Sequence, residues 1–196
     1  IHGKGTWPRG KCNICFSPNP EDDVISMGSI LRKFVENGNE MLVAYMTSGN
    51  IAVFDHDVRR YVDFLRRLAN DQAHGRGTVG VLADRVEEFL AAKQPGDVDI
   101  PEVADIKRII RESEAVAGIE VMGLSRGHAR FLNLPFYQTG QVQKDPIGPA
   151  DIAIVKALLI EFEPEIIFVA GDLSDPHGTH RMCKEALDGA LLELYG

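Results

Sequence analysis

Two short polar segments at opposite ends of the chain constrain its fold most: Ser17-Pro18-Asn19-Pro20-Glu21-Asp22-Asp23 and Asp175-Pro176-His177-Gly178-Thr179-His180-Arg181. The first follows the apolar run Ile14-Cys15-Phe16, and the second follows Ile166 to Gly171, the most apolar run of the chain. Each opens an amphipathic helix pattern. Strand, polar loop, helix is the arrangement in which α/β proteins gather ligands at the carboxyl ends of parallel strands. Both loops carry carboxylates, and the second adds two imidazoles three residues apart, so together they have the donors for a divalent metal.

The rest of the chain reads in the same alternation. Residues 1–10 are polar and Gly/Pro-rich, a linker, and 11–16 form a first strand. Met27, Ile30, Leu31, Phe34 and Val35 make a helical stripe that stops at Gly38. A second strand runs from Met41 to Thr47 and closes in Ser48-Gly49-Asn50. Val58, Tyr61, Val62, Leu65 and Leu68 mark another helix, 70–80 reads as a loop, and helices follow near 81–93 and 102–117. A short strand is expected near 119–123. Ile152, Val155, Leu158, Leu159 and Phe162 mark a helix halted by Pro164, then come the strand 166–170 and a last helix with Cys183, Leu187, Ala190, Leu191 and Leu194 on one face. These βαβ units predict a Rossmann-like three-layer α/β sandwich with a mainly parallel sheet.

Composition narrows the function classes. At 196 residues and 44% hydrophobic the chain can bury a real core, and its net charge of −8 argues against a nucleic-acid surface. No apolar run approaches the ~18 residues that a membrane span needs. The first residue is Ile1, with no basic-then-apolar leader, so the chain reads as a fragment of a longer protein. Three cysteines make no disulfide framework, and reduced thiols in a cytoplasmic protein are expected.

Each candidate residue has a plain structural role beside its chemical one. Glu21, Asp22 and Asp23 sit where acids cap a helix, but neighbouring carboxylates also divide labour between holding a metal and taking a proton. His180 extends the buried stripe of the last helix to its N-terminal tip and so faces the crevice above the sheet. The helix dipole there favours the neutral, ligating ring. His177 is placed to donate a hydrogen bond to a developing oxyanion, or is a solvated turn residue. Cys183 lies on the apolar stripe and reads as core. Cys12-x-x-Cys15 lies in a strand rather than at a helix start and reads as packing. Gly3-x-Gly5 precedes the first strand, so it is no dinucleotide loop. His56, His74 and His128 read as surface or loop residues.

Taken together, Ser-Pro-Asn-Pro-Glu-Asp-Asp and Asp-Pro-His-Gly-Thr-His-Arg resemble the paired signatures of the zinc-dependent LmbE/PIG-L de-N-acetylases. The resemblance spans residues 11–196. It is closest to the domain that follows a glucosamine-6-phosphate deaminase-like domain in some bacterial fusions, where Thr-Ser-Gly-Asn after the second strand and Leu-Pro-Phe-Tyr near 134–137 have counterparts. The resemblance implies zinc ligands at Asn19, Asp22 and His180, a general base at Glu21 and an oxyanion-stabilising histidine at His177. An anionic amino sugar would meet Ser48, Asn50, Arg126 and Arg181, with Arg130 and Arg111 as further candidates. Two positions depart from the family pattern. Asn19 puts an amide where a histidine ligand is expected, and Glu21 lengthens the base by one methylene. The resemblance therefore implies a metal-dependent amino-sugar N-deacetylase-like domain that holds zinc weakly or not at all. The alternative is a sugar-binding or regulatory domain that has lost its metal, and whether the chain is an enzyme stays open at this point. An upstream deaminase-like domain is the implied partner, with a small amino sugar or sugar phosphate as ligand.

Overall fold

The computed structural model describes residues 7–71 and 77–196. Four strands form one parallel sheet: β1 (Cys12–Ser17), β2 (Glu40–Tyr45), β3 (Ala129–Phe131) and β4 (Ile166–Val169), in the order β3-β2-β1-β4. Six α-helices accompany them among the described residues: α1 (Asp22–Glu36), α2 (Asp55–Asp71), α3 (Gly77–Ala92), α4 (Pro101–Val121), α5 (Pro149–Phe162) and α6 (Thr179–Tyr195). This is the Rossmann-like α/β sandwich expected from the alternating pattern.

The chain forms two compact units. The first comprises Ile1–Ser48, Glu112–Thr139 and Gln143–Gly196, and it holds the whole sheet. β1 and β2 are hydrophobic almost throughout because both of their faces are covered, as parallel strands require. Cys15, Met41, Val43 and Tyr45 point to one face and form a core with Leu31 and Phe34 of α1 and Ala115, Val116 and Ile119 of α4. Strand alternation turns the equally buried Ile14, Phe16, Leu42 and Ala44 to the other face, and α5 and α6 pack on each other. β1 pairs with both β2 and β4, with Cys15 opposite Val43 and Phe168. The chain steps outward from β1 to β2 and β3, then returns to place β4 on β1's free edge. The β1–β4 boundary is therefore the topological switch point of the sheet, where ligands gather in open α/β folds.

The second unit comprises Gly49–Arg111 and Gly140–Val142. Its core is Val58 and Val62 of α2, Ala83, Val86 and Leu90 of α3, and Val103 of α4. Beside this core, Lys93 and Lys107 each bridge Asp55 and Asp99 at 2.7–2.9 Å. Of the apolar residues that mark α2 in the sequence, Val58 and Val62 are buried while Tyr61, Leu65 and Leu68 are exposed.

Two expectations are corrected. The strand expected near 119–123 is the last turn of α4, which runs to Val121 and ends at Gly123 with φ +89°. Ile119, in the last turn of that helix, and Met122, in the turn just after it, are buried three residues apart in the core against the sheet. The strand that follows is β3, only three residues long and placed later, at Ala129–Phe131. Residues 77–80, expected in a loop, are the first turn of α3. His74, the remainder of that loop, and Gly3-x-Gly5 lie outside the described residues.

Candidate functional site

The loop after β1 is held by its own side chains. Ser17 Oγ accepts the Asp23 N–H at 3.0 Å and donates to the Asn19 carbonyl at 2.7 Å. The Thr47 N–H, past the end of β2, donates to the Pro18 carbonyl at 3.0 Å. Asp22 Oδ2 accepts the backbone N–H of Asn19 at 2.9 Å. These bonds fix the Asn19 main chain, so its side chain alone is left to choose a direction.

Asp22 and Asp23, adjacent in sequence, face different environments. Asp23 is fully buried, accepts the Tyr45 hydroxyl at 3.1 Å, and is pushed up to about 6 by burial against the lowering effect of its hydrogen bonds. Tyr45 is pushed up in turn, by burial first and by Asp23 second. Asp22 turns instead toward the loop after β4. Glu21 is half-buried at the N-cap of α1, and its side chain makes no capping bond there.

The β4–α6 loop supplies the other half. Gly171, at φ +93°, lets the backbone pass against the His180 ring; a Cβ there would lie 2.9 Å from Nδ1. Ser174 bonds Asp172 through both its N–H and its hydroxyl, holding that carboxyl below its ordinary value. Asp175 accepts the N–H groups of His177 and His180 at 3.0 and 3.4 Å. Burial pushes Asp175 up, but these bonds outweigh it and the carboxyl lies low. His180 Nδ1 is 2.7 Å from the Asp172 carbonyl and must be the donor in that bond, which leaves Nε2 free in the neutral ring to accept or ligate.

Nε2 meets Asp22 Oδ2 at 3.2 Å. Asn19 Nδ2 completes a triangle with them, 3.0 Å from Asp22 Oδ2 and 3.3 Å from His180 Nε2. The other end of the amide, Oδ1, accepts the Thr47 hydroxyl at 3.0 Å. A carboxylate at one corner and a bond-accepting ring nitrogen at another assign the amide's N–H end to the third. A proton on Nε2 would be donated to Asp22 instead.

The spacing of this triangle suits zinc; its donors do not. Tetrahedral bonds of about 2.0–2.1 Å hold ligand atoms roughly 3.3 Å apart, close to the three separations here. An amide nitrogen, however, has no lone pair to give. Among the described residues no group of three His, Cys, Asp or Glu side chains could hold a metal ion. As they stand, then, Asn19, Asp22 and His180 do not fit a catalytic zinc.

The remaining sequence candidates are more dispersed. His177 is exposed in the β4–α6 loop, three residues from His180. Ser48 is buried next to Thr47. Arg126 is exposed, and Arg181 reaches the Leu173 carbonyl at 3.4 Å, so among the described residues neither bonds to the Asn19–Asp22–His180 triangle. Arg130 donates to the Gly127 carbonyl at 3.0 Å. Asn50 and Arg111 belong to the second unit. Sequence reasoning did not single out Thr47 or Gly171; the signal for both was their place at the carboxyl end of a strand.

Comparison with known proteins agrees with the sequence signatures. The family model for PIG-L, described as GlcNAc-PI de-N-acetylase, matches residues 14–191. A glucosamine-6-phosphate deaminase-like protein of Bacteroides thetaiotaomicron is 42% identical over 205 aligned residues, covering 94% of this chain and 31% of that protein. A diacetylchitobiose deacetylase of Thermococcus kodakarensis is 24% identical over 97 residues, covering 50% of this chain and 34% of that protein. The matched segment is thus about a third of the length of each relative. The chain belongs to the PIG-L de-N-acetylase family.

Proposed function

We propose that this chain is the amino-sugar domain of a deaminase-like protein, a hydrolase of the N-deacetylase type whose metal site is impaired at Asn19. The observation that carries the reading is the triangle at the sheet's switch point. Asp22 and His180 are held at ligand spacing by second partners of their own, while Asn19 contributes N–H donors at the corner where a third ligand is needed. In this reading Glu21 is the group that would take a proton from the attacking water, and His177 the donor that would steady the oxyanion. Ser48, Arg126 and Arg181 would contact the sugar and its phosphate. Glu21 carries its carboxylate about one bond further than an aspartate would, and a displacement of ~1 Å costs on the order of 100-fold in rate.

A second reading, a sugar-binding domain without hydrolysis, is favoured by the same amide. The Asp22, Asn19 and Thr47 side chains and the His180 ring satisfy one another's hydrogen bonds, which is a stable end state in itself. No helix among the described residues is long and apolar enough to cross a membrane. Cys12, Cys15 and Cys183 are free thiols, in keeping with the cytoplasmic setting we propose.

The test is amine release from N-acetylglucosamine and its 6-phosphate by the native protein and by the double variant Asn19→His, Glu21→Asp, both supplied with zinc. The native protein should stay near background and the double variant should gain measurable activity. Rapid turnover by the native protein would overturn the impaired-site reading. A double variant that binds the sugar yet releases no amine would favour the binding domain.

A further inference from the structure

The two ends of the Asn19 amide have different chemistry, and one hydroxyl decides which end faces the ligand corner. Nδ2 is at that corner, 3.0 Å from Asp22 Oδ2 and 3.3 Å from His180 Nε2, while Oδ1 takes the Thr47 hydroxyl at 3.0 Å. Were the amide turned over, Oδ1 would occupy the corner, and a carbonyl oxygen can ligate a cation where an amide nitrogen cannot. Two things oppose the turn. Oδ1 would then face the Asp22 carboxylate, oxygen against oxygen, and the hydroxyl hydrogen of Thr47 would lose its acceptor. A cation on Asp22 and His180 offsets the first of these. It does nothing for the second, because Thr47 is only 1% exposed and water does not replace the lost acceptor there.

We propose that Thr47 is a positioning residue that sets the metal state of this site, holding Asn19 with its nitrogen rather than its oxygen at the third ligand corner. The inference rests on the reading of Asp22 and His180 as a ligand pair. It changes what Asn19 is: a side chain bonded into its inert orientation by a second residue, and not merely a poor ligand. Loss of metal would then need two positions, Asn19 and Thr47. Restoring it would need only one.

Zinc affinity measured calorimetrically on the native protein and three variants tests this. Thr47→Val keeps the shape and removes the hydroxyl. It should bind zinc about 3- to 10-fold more tightly than native, the equivalent of one neutral hydrogen bond. Thr47→Ser keeps the hydroxyl and should return to the native affinity, which a general loosening of the loop would not do. Asn19→Asp puts an oxygen at the corner while its other oxygen still accepts from Thr47, and it should gain on the order of 100-fold. If Asn19→Asp gains affinity and Thr47→Val does not, the role of Thr47 is refuted and the ligand-pair reading stands. If neither Asn19→Asp nor Asn19→His binds zinc, the ligand pair itself is wrong and the inference falls with it. A second measurement needs no variant: both side-chain amide protons of native Asn19 should exchange slowly with solvent in nitrogen-15 NMR spectra, and rapid exchange of both would refute the proposal.

Discussion

Asn19 shows what one atom type does to a site. Its departure from the family pattern was legible in the sequence, because a histidine is expected at that position of the motif. Its consequence was not, because the partner that orients it, Thr47, is 28 residues away. Gly171 is a similar case. Its place at the carboxyl end of a strand was the one signal it gave, and the sequence did not show that its backbone, at φ +93°, passes where a side chain would meet the His180 ring. Gly171→Ala should cost about 1–3 kcal/mol of stability through backbone strain and that contact. Chemical denaturation checks this, and a variant of native stability would mean that the ring moves aside freely. Tyr45 is the third telling residue. Its hydroxyl gives the fully buried Asp23 a hydrogen bond at 3.1 Å, so Tyr45→Phe leaves a buried carboxyl short of a donor and should cost about 1–3 kcal/mol. A loss under ~0.5 kcal/mol in urea unfolding would count against that bond's importance.

At the scale of elements, the long periodic stretches were readable and the short ones were not. Alternating strands and helices gave the parallel sandwich because parallel strands buried on both faces are apolar throughout. β3 escaped notice because three residues carry no period. The end of α4 passed for a strand because Ile119, Val121 and Met122 are apolar and β-branched residues weigh toward strand in a short window. The charge network of the second unit was also invisible in sequence, since Asp55, Lys93, Asp99 and Lys107 come from three separate stretches. Burial pushes Asp55 up, but bonds and charge from Lys107 and Lys93 outweigh it and hold the carboxyl below its ordinary value. A lowered carboxyl contributes stability above its unfolded pKa of about 3.9 and loses it as pH falls through the folded value. Lys107 is only 4% exposed, so Lys107→Met leaves Asp55 and Asp99 with Lys93 alone. The change should cost about 1–3 kcal/mol at pH 7, discounted from a fully buried pair because Asp55 is partly exposed. The cost should shrink below about pH 4. An equal cost at pH 7 and pH 3.5 would show that packing, not charge, is what Lys107 contributes.

The whole molecule places its chemistry where its topology leaves room. β4 returns to the free edge of β1, so the loops after these two strands are neighbours, and both sequence signatures lie in them although they are more than 150 residues apart. This is why the pair of motifs was a reliable guide to fold and family: each is an ordinary polar loop, and only the sheet order brings them together. The geometry they form has the spacing of a zinc site and the wrong atom at one corner. The most direct test is the zinc content of the native protein, measured by elemental analysis after incubation with excess zinc and removal of the unbound ion. The account predicts well under one zinc per chain for the native protein and close to one for Asn19→His; one firmly held zinc per native chain would contradict it.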